Sequence, residues 1–244
     1  MPMIFGRTSR LRTGICVAIL FCAPLALIAQ SNAAAPAVPT YRAGLKSIAI
    51  PAPTADLAEI GSDYRVLLEP LAPDSNRLIA AFAHPDDLAA VRAGGSGGMQ
   101  QYALVEVLRR AEFADVTPDI FKQVADGMAT QFGTTLDASL KDAQDQLNRS
   151  LKALNDNAAT ISLDKPLQLG LLFSKPDACG FGVVMPVSAG GKTIKMTTAV
   201  ILLRVQDRVV FAYLYNNYKD EDSVKWVHKT AEDWADAILA ANKQ

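Results

Sequence analysis

The sequence predicts an α+β protein in which an antiparallel sheet is covered by helices, an α/β/α sandwich. Three observations lead there. Four strand-like runs follow one another in the C-terminal third with only short turns between them, the pattern of a four-stranded antiparallel meander. The last run is apolar on both faces, with Val209, Phe211, Tyr213 and Tyr215 on one and Val210, Ala212 and Leu214 on the other. A strand of that kind is covered on both sides. Stretches with helical apolar periodicity, in the middle of the chain and at its end, supply the two covers.

Residues 1–33 read as a signal peptide. Arg7, Arg10 and Arg12 precede an apolar run from Ile15 to Ala29, and Ser31, Asn32 and Ala33 form a small-residue exit. The run is shorter than the roughly 20 residues that span a bilayer, and no comparable run follows it. Cleavage after Ala33 satisfies the small-x-small rule, whereas cleavage after Ala35 leaves Pro36 at the new terminus, so Ala34 is the preferred first mature residue. Phe21 before Cys22 breaks a lipobox, and Arg7 and Arg10 are not the adjacent pair of a twin-arginine signal. The expected location is the periplasm. About 211 residues then remain, enough to bury a core without metal or disulfide support.

Removing the leader changes the charge and the cysteine count. The 24 Lys and Arg fall by three to 21 against 25 Asp and Glu, a net charge near −4. That excludes the basic footprint of a nucleic-acid binder or of a protein held on an anionic membrane surface. Cys16 and Cys22 leave, and Cys179 alone cannot close an intrachain disulfide. It reads as a small semi-buried hydrophobe, with an intermolecular disulfide or a reactive thiol as the alternatives.

Residues 34–46 begin with alanine and proline and show no hydrophobic period, so they are expected as a flexible mature N-terminus. A single α+β domain is expected over 47–244, since neither an internal repeat nor a low-complexity linker divides it. Residues 47–50, closed by Pro51 and Pro53, read as an early strand, as do 64–68 and 78–82. His84-Pro85-Asp86-Asp87 opens a brief helix with proline at its first position and carboxylates at its positive end, and Gly94 stops it. Residues 94–98 form a glycine-rich loop. Residues 102–108 fit strand or helix, and Tyr102 with two valines favours strand.

Thr117-Pro118-Asp119 starts the next helix, with Ile120, Val124, Met128 and Phe132 along one face and Gly133 at its end. A second helix is expected from about Thr135 to Leu154. Leu136, Leu140, Leu147, Leu151 and Leu154 form its stripe, with Asp137–Lys141 and Asp145–Arg149 as i,i+4 pairs. The stripe packs on the sheet or, alternatively, forms a seam for self-association. The meander follows at 167–173, 181–187, 194–205 and 208–216. Asp220 or Asp222 then caps a final helix whose stripe is Val224, Val227, Ala231, Trp234 and Ile238.

Ala83-His84-Pro85-Asp86-Asp87 resembles the motif of the zinc-dependent N-acetylglucosaminyl deacetylases. The resemblance implies that His84 and Asp87 hold zinc and that Asp86 is the general base on a metal-bound water. Three departures stand against it: Leu88 replaces the family's next acidic residue, the motif comes about fifty mature residues late, and no later histidine motif matches. The only other histidine is His228, far along the chain in Trp226-Val227-His228-Lys229. Gly190-Gly191-Lys192-Thr193 has Pro186 where a phosphate loop needs glycine and leads into a strand, so it reads as a hairpin turn. No serine stands in a nucleophile-elbow context. No residue is therefore assigned a catalytic, cofactor-binding or metal-ligating role, and no cofactor is expected.

Residues 205–242 run as strand, tight turn, aromatic strand, acidic cap and the Trp226…Trp234 helix. With the preceding meander this resembles the photosystem II extrinsic, oxygen-evolving-complex protein superfamily, and also a family of uncharacterised secreted proteobacterial proteins with the same C-terminal pattern. The resemblance implies a non-enzymatic accessory or binding role, by analogy of fold. The leading expectation is an exported non-enzymatic accessory or binding protein of the cell envelope, whose partner is an envelope protein or a small ligand. A zinc-dependent amino-sugar deacetylase using 83–87 and a self-associating structural envelope protein are the alternatives.

Overall fold

The structure, a computed structural model, describes residues 38–61, 68–69, 72–92, 99–154, 156 and 159–243. The expected signal peptide, the loop expected at 94–98 and all but Leu68 of the strand expected at 64–68 lie outside the described residues.

Among the described residues, ten strands and three helices follow in the order β1 (Thr40–Ala43), β2 (Lys46–Ala49), β3 (Ala58–Glu59), β4 (Asn76–Ala83), α1 (Pro85–Arg92), β5 (Gln101–Leu108), α2 (Pro118–Leu154), β6 (Ile161–Leu163), β7 (Leu167–Lys175), β8 (Ala178–Ala189), β9 (Lys192–Val205), β10 (Arg208–Asn217) and α3 (Glu221–Ala241). β1 and β2 form a hairpin of their own. The other eight make one sheet in the order β3-β4-β5-β10-β9-β8-β6, with β7 also paired to β8, and every pairing is antiparallel. The fold is α+β, as the sequence predicts. The meander is β7 to β10.

Its turns are set by local chemistry. Gly190 and Gly191 both have positive φ, as do Gln206 and Asp207 at 48° and 62°. Two left-handed residues give a turn whose twist matches that of paired strands, and glycine adopts it without strain. At Gln206-Asp207, Asp207 Oδ1 accepts a 2.7 Å bond from Arg204 Nη1.

The sheet separates two apolar layers. One face carries Tyr102, Leu104, Phe181, Val183, Val200, Leu202, Phe211, Tyr213 and Tyr215, and α2 covers it with Phe121, Met128, Phe132, Leu136, Leu147 and Leu151. The other carries Phe82, Val105, Ala199, Ile201, Leu203, Ala212 and Leu214 under Val227, Ala231, Trp234 and Ile238 of α3 and under the β1–β2 hairpin. A register shift in β4 between Leu78 and Ala80 turns Ile79 and Ala80 toward the same layer.

α3 is held at both ends. Asp220 caps it: its Oδ1 accepts from the Ser223 amide at 3.1 Å, and Ser223 Oγ accepts from the Asp220 amide. Asn242 closes it and clasps Ala49, donating to its carbonyl at 2.7 Å and accepting from its amide at 2.9 Å.

Three sequence expectations are corrected. Residues 40–46, placed in a flexible N-terminus, are β1, the turn after it and the first residue of β2, because Tyr41 and Ala43 are buried in the α3 layer. Gly133 ends no helix, and α2 runs unbroken through 37 residues because Phe132 and Leu136 anchor the backbone on either side. Lys141 pairs with Asp145 at 2.6 Å, leaving Asp137 without it. The buried positions of Leu136, Leu147 and Leu151 take the leucine stripe into the core rather than to a seam.

Candidate functional site

The 83–87 segment is a joint between β4 and β5. His84 donates its backbone N–H to the Gln101 carbonyl at 3.2 Å, and its carbonyl accepts from Leu88 at 3.1 Å, closing the first turn of α1. Its Nδ1 accepts the Asp86 amide at 3.2 Å. Asp87 Oδ2 accepts two backbone amides, from Gln100 at 2.7 Å and Gln101 at 3.1 Å, so this carboxylate caps the start of β5. Asp86 points to solvent, 91% exposed.

α1 packs through Leu88 on the α2 layer, whereas His228 belongs to α3, across the sheet. Among the described residues no three His, Cys, Asp or Glu side chains stand where they could share a metal ion. The residues present do not fit a three-ligand zinc site.

Two buried titratable groups lie on the α2 face. Glu106 is fully buried in β5 opposite Phe211 and accepts from Asn76 Nδ2 at 2.6 Å through Oε2, while Oε1 has no hydrogen-bond partner. Burial pushes its carboxyl up to about 7 against the opposing pull of the Asn76 bond. Cys179, which the sequence presents as semi-buried, is fully buried, and burial pushes its thiol up to about 12, so it carries no thiolate.

The built concavity lies elsewhere, between the middle of α2 and β7. It has a volume of about 430 Å³, within the range of small-ligand sites. Phe132 of α2 and Phe181 of β8, stacked with centroids 4.8 Å apart, form its floor. Thr130, Thr134 and Asp137 from α2 face Gln168 and Leu171 from β7 across it.

Two glycines make it possible. Gly133 lets the Gln168 amide lie against the helix, where a Cβ would overlap it. Glycine there weakens the helix by about 1 kcal/mol relative to alanine. Gly170, at φ +82°, follows one of two register shifts that bend β7 away from regular pairing.

Of the polar groups of the cleft, Asp137 only accepts, while Thr134 and Gln168 can also donate. Asp137 is exposed and has no ion-pair partner among the described residues, since Lys141, one turn away, turns to Asp145. Thr130 commits its hydroxyl proton to the Asp126 carbonyl and so meets the cleft as an acceptor. Sequence reading missed this site because its walls come from residues about 35 positions apart. Its one local signal, Gly133 inside an apolar helical period, reads as a helix stop.

No protein-family model matches the sequence, and no curated protein does. Among solved structures the chain is similar to the Saccharomyces cerevisiae Ran-binding protein Mog1p, at 13% identity over 80% of this chain and 84% of that one, with a TM-score of 0.26. A likeness at that level carries no argument about function.

Proposed function

We propose that the chain is an exported accessory protein of the cell envelope that binds its target at the α2–β7 cleft and performs no chemistry on it. The observation that carries this reading is the lining: an aromatic floor, hydroxyl and amide groups, and one titratable side chain, Asp137. Orientation by a few polar groups over an apolar floor is the usual make-up of a recognition site, whereas acid–base hydrolysis needs a second group to pass the proton on. The pattern of residues 205–242 supports an accessory role by resemblance.

Two measurements test it. Mass spectrometry of the protein from the extracytoplasmic fraction is expected to show a chain beginning at Ala34, and an intact Met1 there would overturn export with cleavage. Metal analysis is expected to show no stoichiometric zinc, and His84→Ala is expected to cost at most about 1 kcal/mol, the scale of a helix-start change. One zinc per chain, lost on His84→Ala, would instead favour the deacetylase.

A further inference from the structure

We propose that the α2–β7 cleft takes a small organic cation, an ammonium group carried on an aromatic or short aliphatic body. The proposal rests on the reading of the cleft as a binding site and adds the chemistry of what fills it.

Charge supplies the first argument. Asp137 is the one charged side chain lining the cleft among the described residues, and the neighbouring Lys141 is engaged by Asp145. An anion would meet an unpaired carboxylate and no compensating cation. An ammonium would gain that carboxylate.

Shape supplies the second. An exposed carboxylate–ammonium pair contributes little by itself, so affinity needs an apolar body. Leu171 presents such a surface, 52% exposed at the rim, and the Phe132–Phe181 stack lies beneath it. The edges of these buried rings and the Leu171 side chain give an apolar body a surface to cover. The departures from regular structure, Gly133 in mid-helix and the shifted register at Gly170, both fall at this cleft. Bulges of this kind cluster beside functional sites.

Three probes of matched size separate the possibilities: phenethylammonium, the neutral 2-phenylethanol and the anionic phenylacetate. Each is titrated into the full chain by calorimetry and by amide NMR shifts. Phenethylammonium is expected to bind in the millimolar range, roughly tenfold more tightly than 2-phenylethanol, and to shift Gly133, Asp137, Gln168 and Gly170. Phenylacetate is expected not to bind. Raising the salt is expected to narrow the difference.

Asp137→Asn, at an exposed position, is expected to remove the tenfold preference while leaving the circular-dichroism melt unchanged. Leu171→Ala is expected to weaken the cationic and neutral probes alike. If the probes shift the cleft amides without charge preference, or if Asp137→Asn changes nothing, the cation is wrong and the binding cleft stands. If no probe shifts these amides, both the cation and the binding reading fall.

Discussion

The two covers of the sheet do different work. α3 is 21 residues long, boxed at its N-terminus and bonded through Asn242 at its C-terminus, and its central Trp234 is clamped between Phe82 and the Pro51 carbonyl. α2 is 37 residues long, yet its side holds the buried Glu106 carboxyl, Gly133 in mid-helix, and the cleft. One layer is closed by specific bonds at both ends, and the other gathers the departures from regular packing. Such departures weaken a fold, and a protein carries them where the rest of the structure holds.

The largest effect is expected in the closed layer. Trp234→Ala removes a side chain 1% exposed, its edge-to-face contact with Phe82 at 6.1 Å, and its 2.8 Å bond to Pro51. A loss of about 3–5 kcal/mol in urea melts is expected. Trp226, only partly buried at the margin of the same cluster, is expected to cost about 1–2 kcal/mol on replacement by alanine. Equal losses would mean that α3 is not clamped at its centre.

Next comes the pH dependence written into the α2 layer. Glu106 has its folded pKa raised from 4.5 to about 7 by burial. Below 4.5 the carboxyl is protonated in both states and its contribution is constant. Between 4.5 and about 7 the unfolded chain releases the proton while the folded chain keeps it, so stability falls as pH rises through this window. The fall is of the order of 3 kcal/mol. Glu106→Gln is expected to flatten it, and an unchanged slope in melts from pH 4.5 to 7.5 would assign it to other groups.

Two glycines sharpen the contrast at smaller scale. A Cβ on Gly180 runs into the Phe173 ring, which is buried and has nowhere to go, so Gly180→Ala is expected to cost about 1–3 kcal/mol. A Cβ on Gly133 meets only the far end of Gln168, which is exposed and can swing away. Gly133→Ala is therefore expected to stabilise the chain by up to about 1 kcal/mol in thermal melts. It is expected at the same time to push the Gln168 amide into the cleft.

The parts of the fold legible in the sequence are those set by neighbours in the chain. Alternation marks β8 to β10, Gly190-Gly191 and Gln206-Asp207 mark their turns, and Asp220 marks the start of α3. Parts set by distant residues were not legible. β1 is a strand because Tyr41 finds the α3 layer, which nothing in Thr40–Ala43 announces. Gly133 reads as a stop by local rules and is overridden by Phe132 and Leu136, packed on the sheet. The cleft depends on the register of β7 against β8, shifted twice, and no pattern within either strand encodes that. Glu106, a lone acid in an otherwise apolar strand, was the one signal of an unusual interior that sequence reading passed over.

The clasp between Ala49 and Asn242 joins positions 193 residues apart, and β3, β4 and β5 reach the rest of the sheet only through β10. A growing chain that has not yet delivered β10 leaves β5 without its partner and the β1–β2 hairpin without the helix that covers it. The N-terminal third must therefore wait for the last forty residues, and folding ruled by such long-range closure is slow. That delay keeps the N-terminal third of the polypeptide open until synthesis is nearly complete.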